Sequence, residues 1–239
     1  MKIITCKDYS ELSQKSAWMI CEIINSKPEA LLCFPAGETS IGTFEQLVRL
    51  EKEKKVSFKK SKIVGLDEWV GLGKMKSENC YSFLKKHFFS KIKFSEKNFC
   101  FFDGESDDLE SECRKTDSFI KEHGPVDMIL LGAGMNGHLG LNEPGTSFGL
   151  YSHIVTLDDT TKSVGQKYFS GSARLTRGIT LGIKHILESK TAILQLSGVR
   201  KAAVASRLLN EDPSESLPAS AMKLHPNSFL VIDEEAAGI

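Results

Sequence analysis

The sequence predicts an α/β fold: an open, mostly parallel sheet with helices on both faces, Rossmann-like in layout but modified, with no dinucleotide site. Three observations lead there. Short apolar runs bounded by Gly, Pro or acidic residues alternate with longer stretches of helical spacing. The runs are continuous, as strands covered on both faces require. Polar clusters follow three of them, at the carboxyl ends where sheets of this kind hold ligands.

Taken in order, residues 10–25 have helical spacing and residues 30–34 form the first clear strand. Helical spacing returns at 39–50, followed by a strand at 62–66. A helix at 79–89 precedes a strand at 98–102, and a helix at 106–122 precedes a strand at 126–131. The last units are a strand at 191–196, a helix at 198–210 and a strand at 228–232. No linker or repeat divides the chain, so residues 1–239 are expected to form one domain.

The 31 basic and 31 acidic residues cancel, so no global field recruits nucleic acid or an anionic membrane. Lys2, Asp8 and Glu11 interrupt the N-terminus, and the longest apolar runs, such as 128–131, are too short for a bilayer. A cytoplasmic protein is expected. The six cysteines are widely spaced, without C-x-x-C, and read as buried free thiols rather than zinc ligands or disulfides.

The segment Gly132-Ala-Gly-Met-Asn-Gly-His-Leu-Gly-Leu-Asn-Glu-Pro-Gly145 sets five glycines around two proton carriers, His138 and Glu143. Gly132, Gly134 and Gly137 satisfy G-x-G-x-x-G, with Asp158 at the usual distance for a ribose partner. A dinucleotide site is nevertheless excluded, because Gly140, Pro144 and Gly145 interrupt the helix that must receive the pyrophosphate.

Pro35-Ala36-Gly37-Glu38-Thr39-Ser40 places a glycine and two hydroxyls at a helix start, where free N–H groups favour a phosphate. The plain alternative is that Thr39 or Ser40 is only an N-cap. The segment lacks the P-loop pattern, which argues against ATP. Lys201, just after Gly198, either completes an anion site or is a solvated charge; Lys167, Arg174 and Arg177 are open in the same way. Asp67 and Glu68 follow the strand at 62–66, so Asp67 is either a base over the strand end or a turn residue. No G-x-S-x-G elbow is present. His87, His123, His185 and His225 have ordinary surface or core readings, which leaves His138.

Leu66-Asp-Glu-Trp-Val-Gly-Leu72 together with Gly137-His-Leu-Gly-Leu-Asn-Glu-Pro-Gly145 resembles the glucosamine-6-phosphate deaminase family. Pro35-Ala-Gly-Glu-Thr39 looks like its phosphate loop, including Ala36, Gly37, Glu38 and Ser40. Gly198-Val-Arg-Lys201 looks like its later phosphate-binding lysine, and Lys167 falls where the family has an arginine. Within the family, Asn136-Gly-His, Leu175-Thr-Arg-Gly-Ile-Thr-Leu-Gly182 and Leu217-Pro-Ala-Ser220 are similar to galactosamine-6-phosphate isomerases.

The resemblance implies a cofactor-free enzyme, classed among hydrolases and isomerases, that turns a 2-amino-2-deoxyhexose 6-phosphate into a ketose 6-phosphate and ammonia. Its expected substrate is galactosamine 6-phosphate, with glucosamine 6-phosphate the alternative. His138 and Glu143 match the ring-opening groups, and Asp67 matches the carboxylate that carries a proton from C2 to C1.

Asn136 stands where glucosamine-specific members usually carry Asp. Such a change beside a catalytic histidine costs roughly 10⁴ in rate in serine proteases. The expectation is therefore that Glu143 is the charged partner of His138, while Asn136 accommodates an axial 4-hydroxyl. His153 replaces an arginine of the effector site in regulated members, which argues against that activation. Family members range from monomers to hexamers, so a homo-oligomer is open. A 6-phosphogluconolactonase and a non-catalytic sugar-phosphate sensor are the competing readings.

Overall fold

The computed structural model describes residues 1–71, 78–169 and 175–239; Leu72 and Arg174 lie outside them. The strands are β1 (Lys2–Cys6), β2 (Leu31–Phe34), β3 (Lys62–Gly65), β4 (Asp67–Trp69), β5 (Phe99–Cys100), β6 (Met128–Gly132), β7 (His153–Thr156), β8 (Arg177–Thr180), β9 (Ala192–Leu196) and β10 (Ser228–Asp233). The helices are α1 (Tyr9–Ser26), α2 (Ile41–Lys52), α3 (Cys80–His87), α4 (Leu109–His123), α5 (Asp159–Gly165), α6 (Ile183–Glu188), α7 (Ala202–Asn210) and α8 (Glu234–Ala237).

Seven strands form one parallel sheet in the order β1, β10, β9, β6, β2, β3, β5. Its central strands are buried on both faces. Leu32 and Phe34 of β2 pack with Leu12, Ile20 and Ile24 of α1 and Phe44 and Leu47 of α2. Leu31 and Cys33 face the other way, in a cluster with Leu109 and Ile120 of α4, Ile186 of α6 and Val204 and Leu208 of α7. This alternation is the two-residue period of a strand sandwiched between helical layers.

The chain winds outward from β2 through β3 and β5 on one side. From β6 it winds outward on the other, through β9 and β10. The strand order therefore reverses between β2 and β6, and the crevice outside their carboxyl ends is the ligand position that doubly wound sheets create. The loop after Phe34 and the loop after Leu131 both open there.

A second, three-stranded antiparallel sheet, β4, β8, β7, was not expected. Leu66 alone separates it from β3, and Asp67 pairs with Thr180. Asp67 and Glu68 thus begin a new strand rather than a loop. The N-terminal edge strand β1 and the short helices α5 and α8 were also not anticipated as elements, whereas α6 is the helix expected around His185.

Candidate active site

The cleft at the β2/β6 crevice is lined by Ala36, Gly37, Glu38, Thr39, Ser40, Asp67, Asn136, His138, Lys167 and Lys201. These are the residues singled out from the sequence, with one exception. Glu143 is 6 % exposed and sits behind His138 rather than on the cleft wall.

His138 is placed by its loop. Gly137 has φ +88°, and a Cβ on Gly134 would lie 2.4 Å from the imidazole, so the ring rests directly on that glycine's backbone. Bridges of Leu139 to Ala133 and Asn142 curl the segment back on itself, so no helix opens directly after Gly132. Asp158, the would-be ribose partner, is the N-cap of α5 and accepts from the Thr160 N–H.

The imidazole Nδ1 lies 3.0 Å from Thr161 Oγ1 and 3.4 Å from Glu143 Oε2. Glu143 also accepts from Asn136 Nδ2 at 2.8 Å and from the Asp158 N–H at 3.2 Å. Burial alone would raise its pKa, but hydrogen bonds from His138, Thr161 and Asn136 together hold it below the ordinary carboxylate value. Asn136 completes the bracket by accepting the His138 N–H on its Oδ1 at 3.2 Å. Its side chain faces Glu143 as well as the cleft.

Asp67 is pushed up to about 6 by burial, against the lowering effect of the His138 charge and the Cys80 thiol. Its neighbour Glu68 is pushed up to about 7, again by burial, although it accepts N–H bonds from Trp69, Cys80 and Tyr81. Glu68 thereby ties β4 to the start of α3. A carboxylate whose pKa lies near neutrality inside a cleft is suited to taking and returning a proton.

On the anion side, a 3-10 turn at Glu38–Ser40 runs into α2. Ser40 occupies the N-cap position of α2 but makes no side-chain capping bond, so the plain N-cap reading of this hydroxyl does not hold. Lys201 is half-buried and donates to the Ala133 carbonyl at 2.6 Å. Desolvation first, then the nearby Lys167 charge, lowers its pKa. Lys167 itself pairs with Glu38 at 2.6 Å. Arg177, the other basic candidate, is exposed on β8 and does not line the cleft.

Thr161, Cys80, Trp69 and Tyr168 also line the cleft; apart from Trp69, which belongs to the 66–72 motif, they carry no signal in the sequence that distinguishes them from ordinary core or helix residues. Asp158 announces the start of α5 only as an N-cap. Among the described residues no cluster of His, Cys, Asp and Glu is arranged to hold a metal ion. No described helix is long and apolar enough to cross a membrane.

Titratable side chains that face a helix-start loop and two lysines across one crevice are the arrangement of an enzyme's cleft. The chain belongs to the glucosamine-6-phosphate isomerase/6-phosphogluconolactonase family, whose model matches residues 8–231. It is 38 % identical to glucosamine-6-phosphate deaminase 1 of Bacillus subtilis (strain 168), over 100 % of this chain and 99 % of that one. The glucosamine-6-phosphate deaminase of Bacillus velezensis is 38 % identical, again over 100 % and 99 %. A solved structure of a monomeric glucosamine-6-phosphate deaminase matches with a TM-score of 0.96 at 38 % identity, covering 100 % of this chain and 99 % of that one.

A 6-phosphogluconolactonase from Thermotoga maritima shares the fold alone, with a TM-score of 0.76 at 17 % identity over 97 % of this chain and 99 % of that one. The enzyme is an isomerising deaminase by class, and the hydrolase class expected beside it is withdrawn. The lactonases are distant neighbours, whereas the relatives of 38 % identity are named deaminases.

Proposed function

We propose that this chain, acting as one domain over residues 1–239, converts glucosamine 6-phosphate to fructose 6-phosphate and ammonia without a cofactor. The observation that carries the reading is the convergence of Asp67 and His138 on the cleft that also holds the 36–40 loop and Lys201. In this reading the N–H groups of Gly37, Glu38 and Thr39 and the Ser40 hydroxyl, with Ala36 beside them, and Lys201 and Lys167 take the phosphate; the Ser40 N–H is held by the Gly37 carbonyl. Binding there orients the reacting carbons.

His138 removes the proton of the anomeric hydroxyl and returns one to the ring oxygen, opening the pyranose. Glu143 steadies the imidazolium that forms. Asp67 takes the C2 proton and delivers it to C1 through an enolamine, which leaves an imine at C2; water adds to that carbon, supplying the ketone oxygen, and ammonia departs. Asn136 acts as a bracket between the histidine and its carboxylate rather than as a proton carrier.

Galactosamine 6-phosphate was the expected substrate, on the resemblance of three segments, beginning at 136, 175 and 217, with Asn136 the residue expected to meet the sugar. That side chain bonds Glu143 and His138, and the relatives carry the glucosamine name. Glucosamine 6-phosphate is therefore the substrate we assign. Six buried free thiols favour a reducing compartment, hence the cytoplasm. We take the monomer as the assembly, following the monomeric deaminase it resembles; light scattering on the eluted peak would show a multiple of the chain mass if this is wrong.

The test of function is ammonia release by purified protein from each of the two amino-sugar phosphates. Faster turnover of glucosamine 6-phosphate is expected. A preference for galactosamine 6-phosphate overturns the substrate assignment, and silence with both overturns the reading in favour of a sensor.

A further inference from the structure

We propose that Thr161 is a positioning residue that fixes the tautomer of His138, leaving its Nε2 free as the base. This deepens the reading above and rests on His138 being the ring-opening group. Thr161 lies in the first turn of α5, which a sequence scan passes over because a threonine in a helix ordinarily bonds back to its own backbone. Here the hydroxyl is buried at 4 % exposure and turned across to the active-site loop, 3.0 Å from His138 Nδ1.

Three groups meet at this point: the imidazole Nδ1, the Thr161 hydroxyl 3.0 Å from it and the Glu143 carboxylate, whose Oε2 lies 3.4 Å from the same nitrogen. An ionised carboxylate only accepts, and a hydroxyl donates one proton while accepting another. One arrangement satisfies all three. Nδ1–H donates to Thr161 Oγ1, and the Thr161 O–H donates to Glu143. Nε2 then carries no proton and belongs to the cleft that His138 lines.

In the opposite tautomer Nδ1 is an acceptor, and the single Thr161 proton must serve either the ring or the carboxylate, not both. Either Nδ1 is left without a donor, or Glu143 loses the Thr161 proton and keeps only the donors of Asn136 and the Asp158 N–H. Glu143 alone does not impose this choice as firmly, since its oxygen is 3.4 Å from Nδ1, longer than a good hydrogen bond. The same turn of α5 also supplies the Asp158 N–H to Glu143, so one helix start orients both members of the pair.

The experiment compares Thr161→Val, which keeps the shape and removes the hydroxyl, with Thr161→Ser, which keeps the hydroxyl. In ¹⁵N-histidine spectra of the full chain, wild type and Thr161→Ser should show His138 as the Nδ1–H tautomer at pH 8. Thr161→Val should show a mixture. For ammonia release, Thr161→Val should lose roughly tenfold or more in kcat with KM little changed, and Thr161→Ser should restore it.

Wild-type tautomer populations and kcat in Thr161→Val overturn the proposal. If that variant does not fold, Thr161→Ala carries the same comparison. The spectra need no substrate. A wild type that releases no ammonia but shows the predicted tautomer change would sink the assigned function and leave the role of Thr161 standing.

Discussion

Asn136 Nδ2 donates to Glu143 Oε2 at 2.8 Å, while its Oδ1 accepts the backbone N–H of His138. The amide thus gives to the carboxylate and receives from the loop backbone. Asn136→Asp replaces the donor with a second carboxylate oxygen facing Glu143. The pair must then share a proton, as close carboxylates do. We expect kcat/KM to fall roughly tenfold at pH 8 and to recover partly toward pH 6, with the ratio between the two amino-sugar phosphates unchanged. A reversed substrate ratio would restore Asn136 as a sugar-recognition residue.

Glu38 introduces a negative charge into the loop that should bind a phosphate, and it holds Lys167 at 2.6 Å. An incoming phosphate competes with it for that lysine. Both side chains are substantially exposed, at 62 % and 41 %, so the competition is worth at most about 1 kcal/mol. Glu38→Gln should therefore lower KM up to about fivefold with kcat unchanged, and the effect should shrink in high salt. A raised KM would show that the carboxylate instead contacts the sugar.

The parallel sheet is legible in the sequence because Leu31, Leu32, Cys33 and Phe34, or Ile129, Leu130 and Leu131, are unbroken apolar blocks with no other sensible fate. The cleft residues are legible because Asp67, His138 and the 36–40 loop each follow such a block. The small antiparallel sheet is not, since β4 is three residues long and begins Asp-Glu, a pair that reads as a turn. Thr161 is hidden for a different reason. Its role depends on α5 packing against the 132–145 loop, a tertiary contact with no local pattern. The bracket formed by Asn136 is likewise invisible until Glu143, seven residues away, is folded back beside it.

Asp67 sets the pH dependence. Its folded-state pKa is raised from 3.8 to about 6, and a base must be ionised, so kcat/KM should fall as pH drops through about 6. The same rise has a stability sign. The folded chain holds this proton more tightly than the unfolded one, so the stabilisation is fully present below pH 3.8 and is lost as pH rises through about 6. The buried charge at pH 8 thus costs about 3 kcal/mol. Asp67→Asn should abolish ammonia release by at least about 10²-fold while raising Tm at pH 8, with the gain vanishing near pH 4. Retained turnover, or a Tm gain independent of pH, would count against this assignment.

Phe88 links the core to the anion loop. Its ring stacks on Phe44 at 4.9 Å and meets Phe34 and Phe58 edge-on at 5.1 and 5.3 Å. Phe34 is the last residue of β2, directly before Pro35, and Phe44 lies in the first turn of α2, so these rings hold the two ends of the 35–40 loop. Phe88→Ala leaves a cavity between them and should destabilise the fold by about 3–5 kcal/mol in urea titration. Because the cavity adjoins the loop's anchors rather than Asp67 or His138, KM should rise more than kcat falls. Phe88→Leu keeps most of the volume and should recover much of both losses. A variant whose kcat collapsed at unchanged KM would mean that the aromatic cluster supports the proton carriers instead.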